Sequence, residues 1–307
     1  MGRNKNVYHN ISLQPKERIK THIAYERAMP EDEEYRKGPY YGLLVERHNL
    51  AKPLVKGRSL LDTCCGVGWG TYLFSETAER VVGVDISHEA IDYARQRYRR
   101  ENLTFSVMDS LNLGFKNNSF DIVCAFESVE HFPKANGMGC IKECSRVLKP
   151  TGVFLGSTPN CLQEKFADYF RSINPHHLYV YAEDNLRQLL RTFFTHVKII
   201  RMDNIVSPYL FFIACKEQQV MDASLMALPE RSLLSIVCNK LKGYHCHKLL
   251  SGRIYFNLHR FHRARFHFFL SVISNPFEKQ GWYWFVLSLL GEGTVELLGQ
   301  VKRRARR

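Results

Sequence analysis

Short apolar runs recur along the middle of the chain, and each is followed by a stretch with helical spacing. RSLLDTC (58–64), RVVGVDI (80–86), LTFSVMD (103–109), FDIVCAF (120–126) and VFLGSTP (153–159) read as strands. Between them, WGTYLFSETA (69–78), HEAIDYARQRYRR (88–100) and GCIKECSRVL (139–148) read as helices. Ser87 is placed to cap the second helix, where Ile91, Ala94 and Tyr98 fall on one face. The turn Pro150–Gly152 ends the third. AEDNLRQLLRTFF (182–194) is a further helix with acidic residues in its first turn, and HVKIIRM (196–202) and PYLFFIACK (208–216) form a closing pair of strands. Strands alternating with helices predict a parallel α/β sheet that takes ligands at the carboxyl ends of its strands. The alternation starts at Arg58 and stops near Lys216.

This pattern divides the chain into four parts. Residues 1–57 are polar and mixed, with a helix over Gly42–Lys52, and read as a helical cap at the substrate entry. Residues 58–216 form the α/β domain, 217–230 a linker, and 231–307 a basic helical extension that includes RARFHFFLSVI and WYWFVLSLLG. Cys140 and Cys144, one helical turn apart, read as core. Hydrophobic content of 45% suits a globular chain, and the longest apolar run, nine residues from Trp282 to Leu290 counting Ser288, is too short to span a bilayer. The first twenty residues lack a signal peptide's apolar segment, and nine irregularly spaced cysteines read as reduced thiols, so a cytoplasmic protein is expected. Charge changes the picture at one end. Of a net +13, most lies in 231–307, where 14 Lys and Arg face three Glu and the chain ends in KRRARR. Such a field favours anionic partners: a membrane surface on the inner leaflet, nucleic acid, or phosphorylated sugars. A solubilising tail is the alternative.

Candidate chemistry gathers at the strand ends. The first strand runs into LLDTCCGVGWG (60–70), where Gly66 and Gly68 suit a sharp turn that lets backbone amides approach a ligand. A dinucleotide could use such a turn. However, Asp85 ends the second strand, where a carboxylate can accept both hydroxyls of a ribose, and Asp109 ends the third, where it can meet an adenine amino group. The fourth strand carries an acidic loop, and nothing provides for a pyrophosphate.

Together LLDTCCGVGWG, VVGVDIS, VMDS, FDIVCAFESVEHF and RVLKPTGVFLGSTPN resemble, in this order and spacing, the class I S-adenosylmethionine-dependent methyltransferases, over 58–216. The resemblance implies a Rossmann-like, mostly parallel seven-stranded α/β sheet, followed by the small helical extension, and S-adenosylmethionine as cofactor. Asp62 and the Cys64–Gly68 turn would cradle its methionine part, with Cys64 standing where the family usually has glycine. Asp85 and Ile86 would hold the ribose and flank adenine, Met108, Asp109 and Ser110 would surround the base, and Phe126 would lie beside the cofactor.

FESVEHF (126–132) would then stand next to the reactive methyl. A helical turn would point Glu127, Glu130 and His131 the same way. A hydroxyl nucleophile needs its proton removed, by a histidine or by a divalent cation that lowers its pKa. Glu-x-x-Glu-His followed by a later histidine resembles the magnesium site of small-RNA 3′-terminal 2′-O-methyltransferases and also occurs in ubiquinone-pathway O-methyltransferases. By that resemblance Glu127, Glu130, His131 and His177, with His176 as its neighbour, would bind Mg²⁺ or Mn²⁺ and serve catalysis. Alternatively, the two glutamates solvate a helix start and His131 works alone. YERAMPED (25–32) resembles a stretch preceding the fold in bacterial methyltransferases of surface-polysaccharide or O-antigen pathways, and the tail resembles the helical end of some bacterial glycosyltransferases acting on the same glycans. These resemblances imply O-methylation of a sugar hydroxyl on a polysaccharide or its lipid-linked precursor. RNA 2′-O-methylation is the alternative within methyl transfer, and a non-catalytic cofactor-binding partner in a glycan-synthesis complex is the alternative outside it.

Overall fold

The computed structural model describes residues 33–37, 39–174, 176–202 and 208–228. The YERAMPED stretch and the 231–307 extension lie outside them. Seven strands make one sheet: β1 (Ser59–Thr63), β2 (Arg80–Asp85), β3 (Leu103–Val107), β4 (Phe120–Phe126), β5 (Leu148–Pro159), β6 (His196–Met202) and β7 (Tyr209–Cys215). Their order is β3-β2-β1-β4-β5-β7-β6. β1 to β5 run parallel, and β7 pairs antiparallel with both β5 and β6. The central strands are covered on both faces. Leu60, Leu61, Ile122, Val123, Cys124 and Ala125 are wholly buried, which is why they read as continuous apolar runs rather than alternating ones.

Helices cover both faces. On one lie α1 (Glu33–Lys37), α2 (Pro39–Val55), α3 (Trp69–Phe74), α4 (His88–Arg97) and, from the far end of the chain, α8 (Gln218–Met226). On the other lie α5 (Lys134–Val147) and α7 (Glu183–Arg191), with a short helix, α6 (Ala167–Ile173), in the connection after β5. Ser87 caps α4 as expected, its Oγ accepting from the Ala90 amide at 3.2 Å. Cys140 and Cys144 of α5 are fully buried.

Three boundaries differ from expectation. α2 is longer than Gly42–Lys52 and is part of the core, since Leu43, Leu50, Ala51, Leu54 and Val55 are all buried against the sheet. Each such apolar side chain stabilises the fold by about 1.5–3 kcal/mol when fully buried. Residues 217–230, expected as a linker, contain α8: Met221 and Leu228 are buried, and Leu225 packs beside them at helical spacing. β5 begins before the Pro150–Gly152 turn, because Leu148 already pairs with Phe120; the register then shifts until Ile122 meets Val153. Among the described residues no helix is long and apolar enough to cross a membrane.

Candidate functional site

The strand order reverses between β1 and β4, so the chain leaves a crevice at their carboxyl ends. A cavity of about 410 Å³ opens there. Nine of the ten residues expected to bind the cofactor line it: Asp62 near the end of β1 and Cys64 just after it, Gly66 in the turn, Asp85 at the end of β2 and Ile86 just after it, Met108, Asp109 and Ser110 after β3, and Phe126 at the end of β4. Gly68 does not. Its φ is +81°, and a Cβ there would lie 2.6 Å from the Phe105 ring and 2.8 Å from the Ala94 methyl, so this glycine lets the turn pack onto β3 and α4.

The turn is held by its own carboxylates. Asp85 accepts the Gly66 amide at 2.9 Å on Oδ2 and the Ser87 amide at 3.0 Å on Oδ1. Asp62 accepts the Thr71 hydroxyl at 2.6 Å. Burial, with Asp85 adding to it and Thr71 opposing, pushes the Asp62 carboxyl up to about 7. Cys64 stands at φ +55°, a left-handed conformation that the family's usual glycine would adopt without strain. Its thiol lies 3.5 Å from the Ser110 hydroxyl.

The acidic loop is not one helical turn. Glu127 also takes a left-handed conformation, φ +46°, and donates its amide to the Ser157 carbonyl of β5 at 2.8 Å. A single 3-10 turn then spans Val129–His131. That break in phase separates the two glutamates. Glu127 Oε1 accepts the Ser157 hydroxyl at 2.7 Å and lies 3.4 Å from Arg47 Nη1. Glu130 turns into the protein and is wholly buried, which rules out a solvated helix start. Its Oε2 accepts the Thr158 hydroxyl at 3.0 Å, and its Oε1 has no hydrogen-bond partner. Burial, then the charge of Glu127, holds the Glu130 carboxyl well above the usual carboxylate range.

The later histidine arrives as expected from sequence. The Glu130 carbonyl accepts the amides of Leu178 and Tyr179 at 2.8 and 3.1 Å, which ties the 176–179 segment to the loop. One ligand atom each from Glu130, His131 and His177 then falls within 4.8 Å of the others. Glu127, expected as a fourth ligand, stands outside this triad because Ser157 and Arg47 engage it. His131 Nδ1 donates to the His176 carbonyl at 3.1 Å, so Nε2 carries the lone pair of the neutral ring. The Asn174 carboxamide accepts the His176 amide on Oδ1, so its nitrogen donates to His177 Nε2 at 2.9 Å. Burial and the two neighbouring histidines lower His177 to about 4, so it is neutral at pH 7. Glu130 Oε1 and His131 Nε2 would join a divalent cation directly, whereas His177 Nε2 would first have to release Asn174; the carboxylate oxygen suits Mg²⁺ or Mn²⁺, and imidazole nitrogens suit softer ions.

α2 adds wall residues that the sequence reading missed: Leu44, Arg47 and His48. The signal was a helix that ends just before β1 and carries ERH (46–48). His48 donates Nδ1–H to the Leu44 carbonyl at 2.7 Å and packs among Trp69, Phe74 and Phe126. Burial, with the Arg47 charge, lowers it to about 3. Gly70 makes room for this ring, since a Cβ there would lie 2.2 Å from His48 Nε2.

Known proteins agree with this geometry. Residues 61–156 match a family described as a methyltransferase domain. A protein of Mycolicibacterium smegmatis named as a probable S-adenosylmethionine-dependent methyltransferase is 38% identical over 104 residues, 34% of this chain and 39% of that protein. The ubiquinone biosynthesis O-methyltransferase of Actinobacillus pleuropneumoniae serotype 7 is 30% identical over 111 residues, 34% of this chain and 47% of that one. The chain thus spans less than half the length of these two relatives. Among solved structures, N-methyltransferase NodS from Bradyrhizobium japonicum WM9, in complex with S-adenosyl-L-homocysteine, superposes with a TM-score of 0.53 at 15% identity, covering 66% of this chain and 98% of NodS; the likeness is one of fold. Sheet order, crevice and matched segment agree: residues 61–156 match the methyltransferase-domain family, within a seven-stranded α/β fold like that of NodS.

Proposed function

We propose that the chain is an S-adenosylmethionine-dependent O-methyltransferase that acts on a hydroxyl group, with Glu130, His131 and His177 as the groups that activate it. The observation that carries this reading is the triad itself, set where β4 ends and reaching the cavity through His131. The cofactor, when bound, supplies an electrophilic methyl on a sulfonium. The chain supplies position and proton chemistry. Asp85 is placed to accept the ribose hydroxyls, Asp109 to meet the adenine amino group, and Asp62 to meet the methionine ammonium. Cys64, Gly66, Ile86, Met108, Ser110 and Phe126 shape the space around them. Positioning the acceptor in line with the methyl is the largest contribution such a site makes.

The acceptor hydroxyl must lose its proton. Glu130, His131 and His177 would hold a divalent cation that lowers the pKa of a bound hydroxyl. The unpartnered Oε1 of Glu130 and the lone pair on His131 Nε2 support that reading. Glu127 aligns the wall beside them through Ser157 and Arg47.

As acceptor we propose a sugar hydroxyl of a surface polysaccharide or its lipid-linked precursor. The support is the YERAMPED stretch and the basic, aromatic-rich 231–307 extension, which suits an anionic membrane surface on which such a precursor sits. Transfer of a labelled methyl group from S-adenosylmethionine tests both parts. A glycan extract should become labelled and RNA should not, and EDTA followed by dialysis should stop the reaction until Mg²⁺ or Mn²⁺ is restored. Labelled RNA, or full activity after chelation, would overturn the acceptor or the metal respectively.

A further inference from the structure

One member of the triad is already engaged. Asn174, the residue that ends α6, makes two hydrogen bonds with one carboxamide: Oδ1 accepts the His176 amide at 3.0 Å, and the nitrogen donates to His177 Nε2 at 2.9 Å. A backbone amide can only donate, so the first bond fixes which way the carboxamide points, and the second then occupies the Nε2 lone pair. A neutral imidazole that accepts on Nε2 keeps its proton on Nδ1. Both nitrogens of His177 are thus closed to a cation, one by Asn174 and the other by the ring's own proton.

Whichever nitrogen an ion approached, the same carboxamide would oppose it. Nε2 must first lose the Asn174 bond. Nδ1 opens only if its proton moves to Nε2, where it would meet the Asn174 nitrogen donor to donor. A histidine set up as a ligand gives its other ring N–H to an acceptor, and Asn174 presents the opposite polarity. The other two members differ: Glu130 Oε1 has no hydrogen-bond partner, and His131 donates Nδ1 to the His176 carbonyl, which puts its lone pair on Nε2. Main-chain contacts hold the segment apart from the Asn174 side chain. The Glu130 carbonyl accepts the Leu178 and Tyr179 amides at 2.8 and 3.1 Å, and the Asn174 carbonyl accepts the His177 amide at 3.0 Å. The His177 ring stands edge-on to His131, with centroids 5.2 Å apart and planes at 79°. Rotation of one carboxamide would release that ring while these contacts stand.

We propose that Asn174 is a latch on the metal site: its bond to His177 holds the third ligand back, and a divalent cation engages the whole triad only when the carboxamide lets go. The inference rests on the metal reading above and deepens it, because it makes Asn174 a positioning residue that weakens the hold on the ion. His176 shares the carboxamide through its amide and lines the cavity, which links the latch to whatever fills that end.

Titration of the full chain with Mn²⁺, read from the electron paramagnetic resonance signal of the free ion, tests this without turnover. Asn174→Ser keeps a short acceptor for the His176 amide and is too short to reach His177. It should tighten Mn²⁺ about fivefold, the gain expected from removing one competing hydrogen bond. In a His177→Ala background the same substitution should change affinity less than about twofold, because no ring is left to release. Nitrogen NMR of the ion-free wild type gives a second measure, in which His177 should be the Nδ1–H tautomer. Unchanged or weaker Mn²⁺ binding by Asn174→Ser, equal tightening in both backgrounds, or an Nε2–H tautomer would overturn the latch and leave the metal reading standing. Wild type that binds no Mn²⁺, or that binds it equally after Glu130→Gln, would overturn both together.

Discussion

The two ends of the cavity are built differently. At the ends of β1 and β2 the polar groups already have partners: Asp85 takes two backbone amides and Asp62 takes Thr71. At the end of β4 several buried polar atoms do not. Of the five buried side-chain polar atoms without a partner among the described residues, four are Arg47 Nε, Ser128 Oγ, Glu130 Oε1 and Tyr181 Oη. Arg47 and Ser128 line the cavity, and Tyr181 lies within range of the Glu130 carboxyl. Native proteins keep very few such atoms, because each costs about 1–3 kcal/mol. The difference teaches which half binds by a preformed shape and which half is completed by what it binds. Cys64 and Glu127, both left-handed, mark the boundary at two adjacent strand ends.

The largest effect tests the rigid half. Gly68→Ala places a Cβ against Phe105 and Ala94 at a positive φ, so chemical denaturation should show a loss of about 2–4 kcal/mol. A loss under about 1 kcal/mol would mean the turn is softer than its contacts imply.

A smaller effect tests Asp62, the strained member of that half. Its folded pKa, about 7, is raised above the ordinary 3.8. The folded state therefore holds the extra proton between these values, and the stability that this contributes is lost as pH rises from about 4 to about 7. Asp62→Asn should flatten that fall and gain on the order of 1–2 kcal/mol at pH 8 without ligand. It should also weaken S-adenosylmethionine about tenfold, because the amide has no charge to set against the ammonium. A variant that loses stability at pH 8 would contradict the burial account.

The smallest effect separates two neighbours. His131 bonds to the backbone carbonyl of His176, so that contact survives His176→Ala and turnover should change less than about threefold. Loss as deep as that of His177→Ala would place the ring of His176 in the chemistry.

How legible these halves were follows from their physics. The rigid half rests on local signals. The central strands, buried on both faces, read as apolar runs, and β1, β2 and the edge strand β3 bring Asp62, Asp85 and Asp109 to the same carboxyl end of the sheet. Gly66 and Gly68 read alike in sequence, and only the packing of β3 and α4 separates their roles. The reacting half depends on tertiary placement. One left-handed residue, Glu127, broke the helical phase that would have put it with Glu130. Arg47 reaches the wall only because α2 folds back over the turn. α8 read as a linker because it is only nine residues long and, of its apolar side chains, buries Met221 alone, with Leu225 partly covered beside it.

The division between the halves can be measured without knowing the acceptor, by calorimetric titration of S-adenosylmethionine into wild type, Asp85→Ala and Glu130→Gln. The wild type should bind at one site, Asp85→Ala should lose binding by at least about 100-fold, and Glu130→Gln should stay within about twofold while turnover is lost. Equal binding by Asp85→Ala and wild type, or a comparable loss in Glu130→Gln, would contradict the account.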